Sequence, residues 1–257
     1  MRLLISNDDG ISSEGLHILA RELEKHHEVI IAAPDGQRSA CGHSITLTRA
    51  LVIKEVKLQG ISSKAYSIDG TPADCIRLAT DKILKEKADF VISGINRGVN
   101  LGTDVIYSGT VSAAIESAIY NVPAIAISSE YIEGEDKHNY ELAAKIVLQV
   151  LEEASKNLVS NNTVLNINVP LGKEEEIKGI KVCKTGRCVY ENSYIEKLEE
   201  SGYISYQVIG ELVKSSEKDT DAYYFEQGYI TLTPLHHNLT DFNLLPSLET
   251  WDFRHNK

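Results

Sequence analysis

The sequence predicts an α/β fold: a mostly parallel sheet, doubly wound with helices on both faces, and a projecting β arm towards the C-terminal end. Short apolar runs such as Leu3-Leu4-Ile5 stop abruptly at polar, glycine-bearing turns, as buried parallel strands do. Segments of helical period alternate with these runs as far as about Ser155, at lengths suited to right-handed βαβ units. Beyond Thr185 the alternation fails, and β segments rich in tyrosine take over.

The first strand ends at Ser6-Asn7-Asp8-Asp9-Gly10. Successive side chains on a regular strand point to opposite faces, so Asp8 and Asp9 converge only if the chain has begun to turn, which Gly10 permits. At about 4 Å the two charges repel by roughly 4 kcal/mol at an effective dielectric near 20. A hard divalent cation between them is the simplest remedy. The plainer reading has one Asp capping the next helix and the other facing water.

Ser12 or Ser13 is the expected N-cap of that helix, whose apolar face is Leu16, Leu19, Ala20 and Leu23. Val29 to Ala33 is the second strand, and the polar loop Pro34 to Ser44 places Arg38, Ser39 and His43 beside the end of the first. Leu51 to Lys57 and Ala65 to Ile68 read as a hairpin beside the main sheet. Thr71-Pro72-Ala73-Asp74 sets a Thr N-cap before a proline at the first helical position. Phe90 to Ile92 is a buried strand closed by Ser93-Gly94-Ile95-Asn96, and a helix with Val111, Ala114, Ile115 and Ala118 on one face begins near Thr110. A strand at Pro123 to Ser128, a helix from about Asn139 to Ser155, and strands at Thr163 to Val169 and Gly179 to Cys183 follow. No helix is expected between Thr185 and Glu226; Tyr229 to Thr233 returns to strand, and Leu244 to Phe253 forms an apolar tail. The expected division is a core over 1–184, an arm over 185–228, and a C-terminal strand and tail over 229–257.

At 257 residues, with 42% hydrophobic and 25% charged residues, the chain can bury a sizeable core. A net charge of -11 argues against a stable nucleic-acid complex, which needs a basic surface, but not against a small anionic substrate held through a cation. The four cysteines form no CxxC pair, and the N terminus enters a strand without signal-peptide features, which points to a reduced, cytoplasmic protein. No apolar run reaches the roughly 18 residues of a membrane span.

Ligands of a doubly wound sheet collect outside the carboxyl ends of its strands. Asp8 and Asp9, Ser39, and Asn96 arrive there from separate strand ends. Two carboxylates, a hydroxyl and an amide oxygen suit one Mg2+ or Mn2+ ion per subunit, with the Ser39 hydroxyl the weakest ligand. Tyr107-Ser108-Gly109-Thr110, running into a helix, offers amides and hydroxyls at a positive helix end, either as a phosphate site or as ordinary N-capping. Arg97 is a candidate to neutralise phosphate charge and His43 to give a proton to the leaving oxygen.

Read together, Asn7-Asp8-Asp9-Gly10, Asp69-Gly70-Thr71-Pro72-Ala73-Asp74-Cys75, Ser93-Gly94-Ile95-Asn96-Arg97-Gly98-Val99-Asn100-Leu101-Gly102 and Tyr107-Ser108-Gly109-Thr110-Val111-Ser112-Ala113-Ala114 resemble the SurE survival-protein nucleotidases. The resemblance is dense over residues 1 to about 130, then thins to Thr185-Gly186-Arg187, Thr220-Asp221 and Ile230 to Leu235. It implies a Rossmann-like core and metal-dependent release of phosphate from nucleoside 5'-monophosphates, with 3'-monophosphates and short polyphosphate as substrates of some members. It carries the metal-ligand role to Asp8, Asp9, Ser39 and Asn96, and it implies a homodimer or homotetramer built through an extended hairpin and an exchanged C-terminal segment. Ala50 stands where a proline is usual, and Asp219 where a glycine usually precedes Thr220-Asp221.

The expected reaction is attack on phosphorus by a metal-activated water, with Asp8, Asp9 and Asn96 as the catalytic set and Asn96 and Ser108 to Thr110 positioning the phosphate. A covalent aspartyl route would want a second Asp two positions on, where Gly10 or Ile11 stands. A nucleotide-sugar transferase and a non-catalytic nucleotide or metal sensor are the rival readings.

Overall fold

β1 (Arg2–Ser6) buries Leu3, Leu4 and Ile5 completely. Side-chain alternation sends Leu3 and Ile5 into one hydrophobic core and Leu4 into the other, so both faces of the strand are covered. The computed structural model describes residues 1–132, 134, 137–157, 160–198, 202–213 and 217–253. Three short stretches of the predicted arm and tail, 199–201, 214–216 and 254–257, therefore lie outside the described residues.

After β1 come α1 (Glu14–Leu23), β2 (Glu28–Pro34), β3 (Ile53–Val56), β4 (Lys64–Ile68) and α2 (Pro72–Leu78). β5 (Phe90–Arg97), α3 (Gly109–Ile119), β6 (Ala124–Ser129), α4 (Tyr140–Lys156), β7 (Val164–Val169) and β8 (Ile180–Val182) complete the alternating part. The remainder is β9 (Val189–Leu198), β10 (Ile204–Val213), α5 (Asp221–Glu226), β11 (Ile230–Leu235) and α6 (Leu245–Leu248).

The main sheet runs β3-β4-β2-β1-β5-β6-β7-β11-β8. Its pairs are parallel except β3 with β4 and β11 with β7. One face packs the apolar sides of α1 and α4, through Leu16, Leu19, Leu23, Val147 and Leu151. The other packs α2 and α3, through Cys75, Ile76, Val111 and Ala114. The chain leaves β1 for β2 and β4 on one side and later returns to place β5 on the other side. This reversal opens a crevice at the carboxyl ends of β1 and β5, the usual ligand position in such sheets.

Several expectations change in detail. The predicted hairpin beside the sheet is the edge of the sheet itself, because β4 pairs in parallel with β2. β5 does not stop at Ile92; it continues to Arg97 through an irregularity between Ser93 and Asn96 in its pairing with β6. Gly94 permits this, since a Cβ there would lie 2.2 Å from the Ile127 carbonyl oxygen. The segment predicted to lack helix contains α5, whose N-cap Thr220 accepts a hydrogen bond from the Tyr223 backbone N–H at 3.3 Å. A six-residue helix is too short to show a periodic pattern, which is why it escapes the sequence. Asp219, just before it, adopts φ +63, the left-handed region that favours glycine, and its carboxylate accepts from the Tyr224 hydroxyl at 2.7 Å. β9 and β10 pair antiparallel as a separate hairpin. β11 lies inside the main sheet, between β7 and β8, so the segment that opens at 229 begins in the core sheet.

Candidate active site

The turn after β1 is built before any ligand is considered. The Asn7 side chain donates to the Gly10 carbonyl at 3.0 Å and to the Ser13 hydroxyl at 2.7 Å, while its oxygen accepts from the Gly10 N–H at 3.2 Å. Gly10 sits at φ +95 with its Cα side against Gly36, where a Cβ would come within 2.9 Å of backbone. This tight turn takes Asp8 and Asp9 out of the strand. Ser13 is the N-cap residue of α1, but its hydroxyl serves Asn7 rather than the helix.

Asp8 is buried, at 4% exposure. The first turn of α3 closes on it: the Thr110 hydroxyl donates to its carboxylate, and a Cβ on Gly109 would lie 2.7 Å from the Asp8 Cβ. Burial pushes the Asp8 carboxyl up to about 6; the Thr110 hydrogen bond opposes that rise and the Asp9 charge adds to it. Asp9, half-buried, is also raised, again mainly by burial, while the Arg97 N–H, 3.0 Å from its Oδ2, and the Arg97 charge oppose the rise.

The other predicted ligands come from neighbouring elements. Asn96, at the end of β5, spends its amide N–H on the Gly98 carbonyl at 2.8 Å, which turns its oxygen the other way. Ser39 lies in the loop after β2, where Gln37 donates to its hydroxyl at 2.9 Å. That loop is tied down on both sides of Ser39, by the Arg38 N–H to the Asp8 carbonyl at 2.7 Å and by the Gly42 N–H to the Tyr107 carbonyl at 3.0 Å. Asp8, Ser39, Asn96, Arg97 and Ser108 line one cavity of about 220 Å³. Asp9 and Arg97 also border a second cavity, of about 290 Å³, lined further by Glu14, Gln37, Tyr131 and Tyr140. The Arg97 guanidinium lies 3.7 Å from the centre of the Tyr131 ring.

The predicted site residues thus divide by surroundings. The Ser108 hydroxyl caps α3 by accepting from the Val111 N–H at 3.1 Å, and Thr110, fully buried, faces Asp8. Gly109 is the close-approach residue between them. His43 lines neither cavity; its Nε2 lies 2.6 Å from Glu116 Oε2. Tyr131, Tyr140 and Glu116 had no role in the sequence reading. Tyr131 and Tyr140 lie outside every motif, whereas Glu116 is an acid in the middle of a helix buried nearly all round, a detectable anomaly. Among the described residues no group of three or more His, Cys, Asp or Glu side chains could hold a metal, so the candidate donor set stays the mixed one of two carboxylates, an amide and a hydroxyl.

Comparisons with known proteins identify the family. Residues 3–192 match the family described as Survival protein SurE. The chain belongs to the SurE family. A SurE relative from Clostridium botulinum named 5'-nucleotidase SurE is 48% identical over 249 residues, covering 97% of this chain and 98% of its own. One of the same name from Clostridium tetani is 48% identical over 251 residues, covering 98% and 100%. The crystal structure of the SurE protein from Aquifex aeolicus superposes with a TM-score of 0.83 at 35% identity, covering 97% of this chain and 98% of that one. The SurE fold is therefore shared over nearly the full length. No helix among the described residues is long and apolar enough to cross a membrane.

Burial of an ionised Asp8 works against folding. Its folded pKa lies above the unfolded value of 3.8, so its cost is full above pH 6 and fades as the pH falls through 6 towards 4. A shift of this size corresponds to an upper bound of ~3 kcal/mol. Asp8→Asn is expected to stabilise the metal-free protein by about 1–3 kcal/mol at pH 7.5 in urea titrations, with the gain shrinking below pH 5. Equal or lower stability of the variant at pH 7.5 would contradict the burial argument.

Proposed function

We propose that this chain is a divalent-metal-dependent 5'-nucleotidase, releasing phosphate from nucleoside 5'-monophosphates, with 3'-monophosphates and short polyphosphate as secondary substrates. The observation that carries the reading is the convergence of Asp8, Ser39, Asn96 and Ser108 on one small cavity at the switch point of the sheet. Relatives 48% identical and of the same length carry the name 5'-nucleotidase SurE, which supports the same activity here.

Asp8, Ser39 and Asn96 at the smaller cavity, with Asp9 joining them from the larger one where the two meet at Arg97, would hold one hard cation, Mg2+ or Mn2+. All four offer oxygen, and what opposes the rise of Asp8 to about 6 by burial is hydrogen bonding and not a cationic side chain. When bound, such an ion draws charge from a phosphoryl group and activates water for attack on phosphorus. The chain's own groups do the rest. Thr110 orients the Asp8 carboxylate and favours its ionised form. The N-terminus of α3, which begins at Gly109 after the N-cap Ser108, would offer its positive end to phosphate oxygens, and the bare Cα of Gly109 brings that end against Asp8. Arg97, bordering both cavities, balances phosphate charge and marks the boundary between phosphate and nucleoside. The second cavity, with Tyr131 and Tyr140, offers aromatic surface to a base and Glu14 and Gln37 to ribose hydroxyls.

The assembly in this reading is a homodimer or homotetramer in the cytoplasm. Tyr194, Ile195, Tyr206 and Val208 on the β9–β10 hairpin and Phe242 and Trp251 in the tail are exposed, as a subunit contact would leave them in one isolated chain.

The test is phosphate release from a panel of nucleoside monophosphates with Mg2+ or Mn2+. Asp9→Asn and Asn96→Ala are each expected to lose about 10²- to 10³-fold in kcat/KM with an unchanged far-UV spectrum. Activity within twofold of the parent in either variant, or no release by the parent from any nucleotide, would overturn the reading.

A further inference from the structure

Among the buried charged groups, Glu116 has no place in the chemistry described so far. It stands in the third turn of α3 with its side chain 4% exposed. Oε1 accepts from Arg77 Nη1 of α2 at 3.0 Å, and Oε2 lies 2.6 Å from His43 Nε2. Burial alone would raise its pKa; His43 first and then Arg77 more than offset that and hold it below the ordinary carboxylate value.

Packing does not require this arrangement. The core shared by α2 and α3 is apolar, with Cys75, Ile76, Ala79, Val111, Ala114 and Ala118, and an apolar side chain at 116 would cost less to bury than a carboxylate with two partners. What the carboxylate adds is a bond to the loop after β2. Ser39 sits in that loop between the Arg38 N–H bond to the Asp8 carbonyl and two further anchors, the Gly42 N–H bond to the Tyr107 carbonyl and the His43–Glu116 contact. The helix at the far end of the last contact is the one whose first turn holds Asp8 through Thr110.

We propose that Glu116, acting through His43, is a positioning residue that fixes the Ser39 hydroxyl against the Asp8 and Asn96 side of the cation site. This rests on the reading of that site as a divalent-cation site. A hydroxyl is a weak ligand, so its share of the affinity depends on being held in place, and outer partners of metal ligands commonly govern affinity in this way.

The experiment is Mn2+ titration of the full chain followed by the electron paramagnetic resonance signal of free Mn2+, without substrate. His43→Ala, in a part-exposed loop, is expected to weaken Mn2+ binding about 10- to 100-fold. His43→Gln, which keeps a donor for Glu116, should recover most of that loss. Arg77→Met, which has no donor, cuts the bond to α2 but not the one to the loop, so it should lower Tm and leave Mn2+ affinity within about twofold. In a Ser39→Ala background, His43→Ala should cost little more, because the two changes act on one ligand.

Additive losses in the double variant, an Arg77→Met loss as large as that of His43→Ala, or a His43→Ala affinity within twofold of the parent would each overturn the proposal and leave Glu116 a structural ion pair. A parent chain that binds no Mn2+ would instead overturn the cation site itself.

Discussion

A carboxylate buried at the end of a central strand is the constraint around which this molecule is arranged. Asp8 follows a strand whose side chains are covered on both faces, and it is driven into a space where an unpaired negative charge is costly. Much of the local architecture serves that placement. Asn7 and Gly10 make the turn that takes it out of the sheet, and the missing side chain of Gly109 lets α3 come close enough for Thr110 to reach it. The loop carrying Ser39 is bonded to the Asp8 backbone. These contacts orient the carboxylate without neutralising it, which is the condition in which a cation gains most from binding.

The two cavities at the switch point give this arrangement a direction. Asp8 faces the smaller one, with Ser39, Asn96 and Ser108, while Asp9 faces the larger one, with Tyr131 and Tyr140. Arg97 belongs to both, and its backbone N–H bonds Asp9 while its guanidinium lies over Tyr131. A ligand with an anionic end and an aromatic end suits such a pair, with the charge balanced at their junction. In this account stability is given up at Asp8 to gain ligand binding, a common trade at functional sites.

What the sequence made legible was local. Leu3 to Ile5 announced a buried strand because its hydrophobicity is continuous, and Thr71-Pro72 announced a helix start because capping is decided within four residues; the observed Thr71–Asp74 capping box follows that logic. The convergence of Asp8, Ser39 and Asn96 was readable because doubly wound sheets gather their loops at one edge. The missed features depend on contacts remote in sequence. Gly94 reads as a turn residue, yet it keeps β5 running because the Ile127 carbonyl leaves no room for a side chain. β11 reads as a strand, but its seat between β7 and β8 is set by tertiary pairing. Thr110 reads as part of a cap, and only the fold reveals that its hydroxyl meets a carboxylate from 102 residues earlier in the chain.

The most direct measurement is the anomalous difference map of crystals grown with Mn2+. A single strong peak bounded by Asp8, Asp9, Ser39 and Asn96, lost in crystals of Asp9→Asn, is the expected result. A peak elsewhere on the chain, or none at Mn2+ concentrations that support phosphate release, would contradict it.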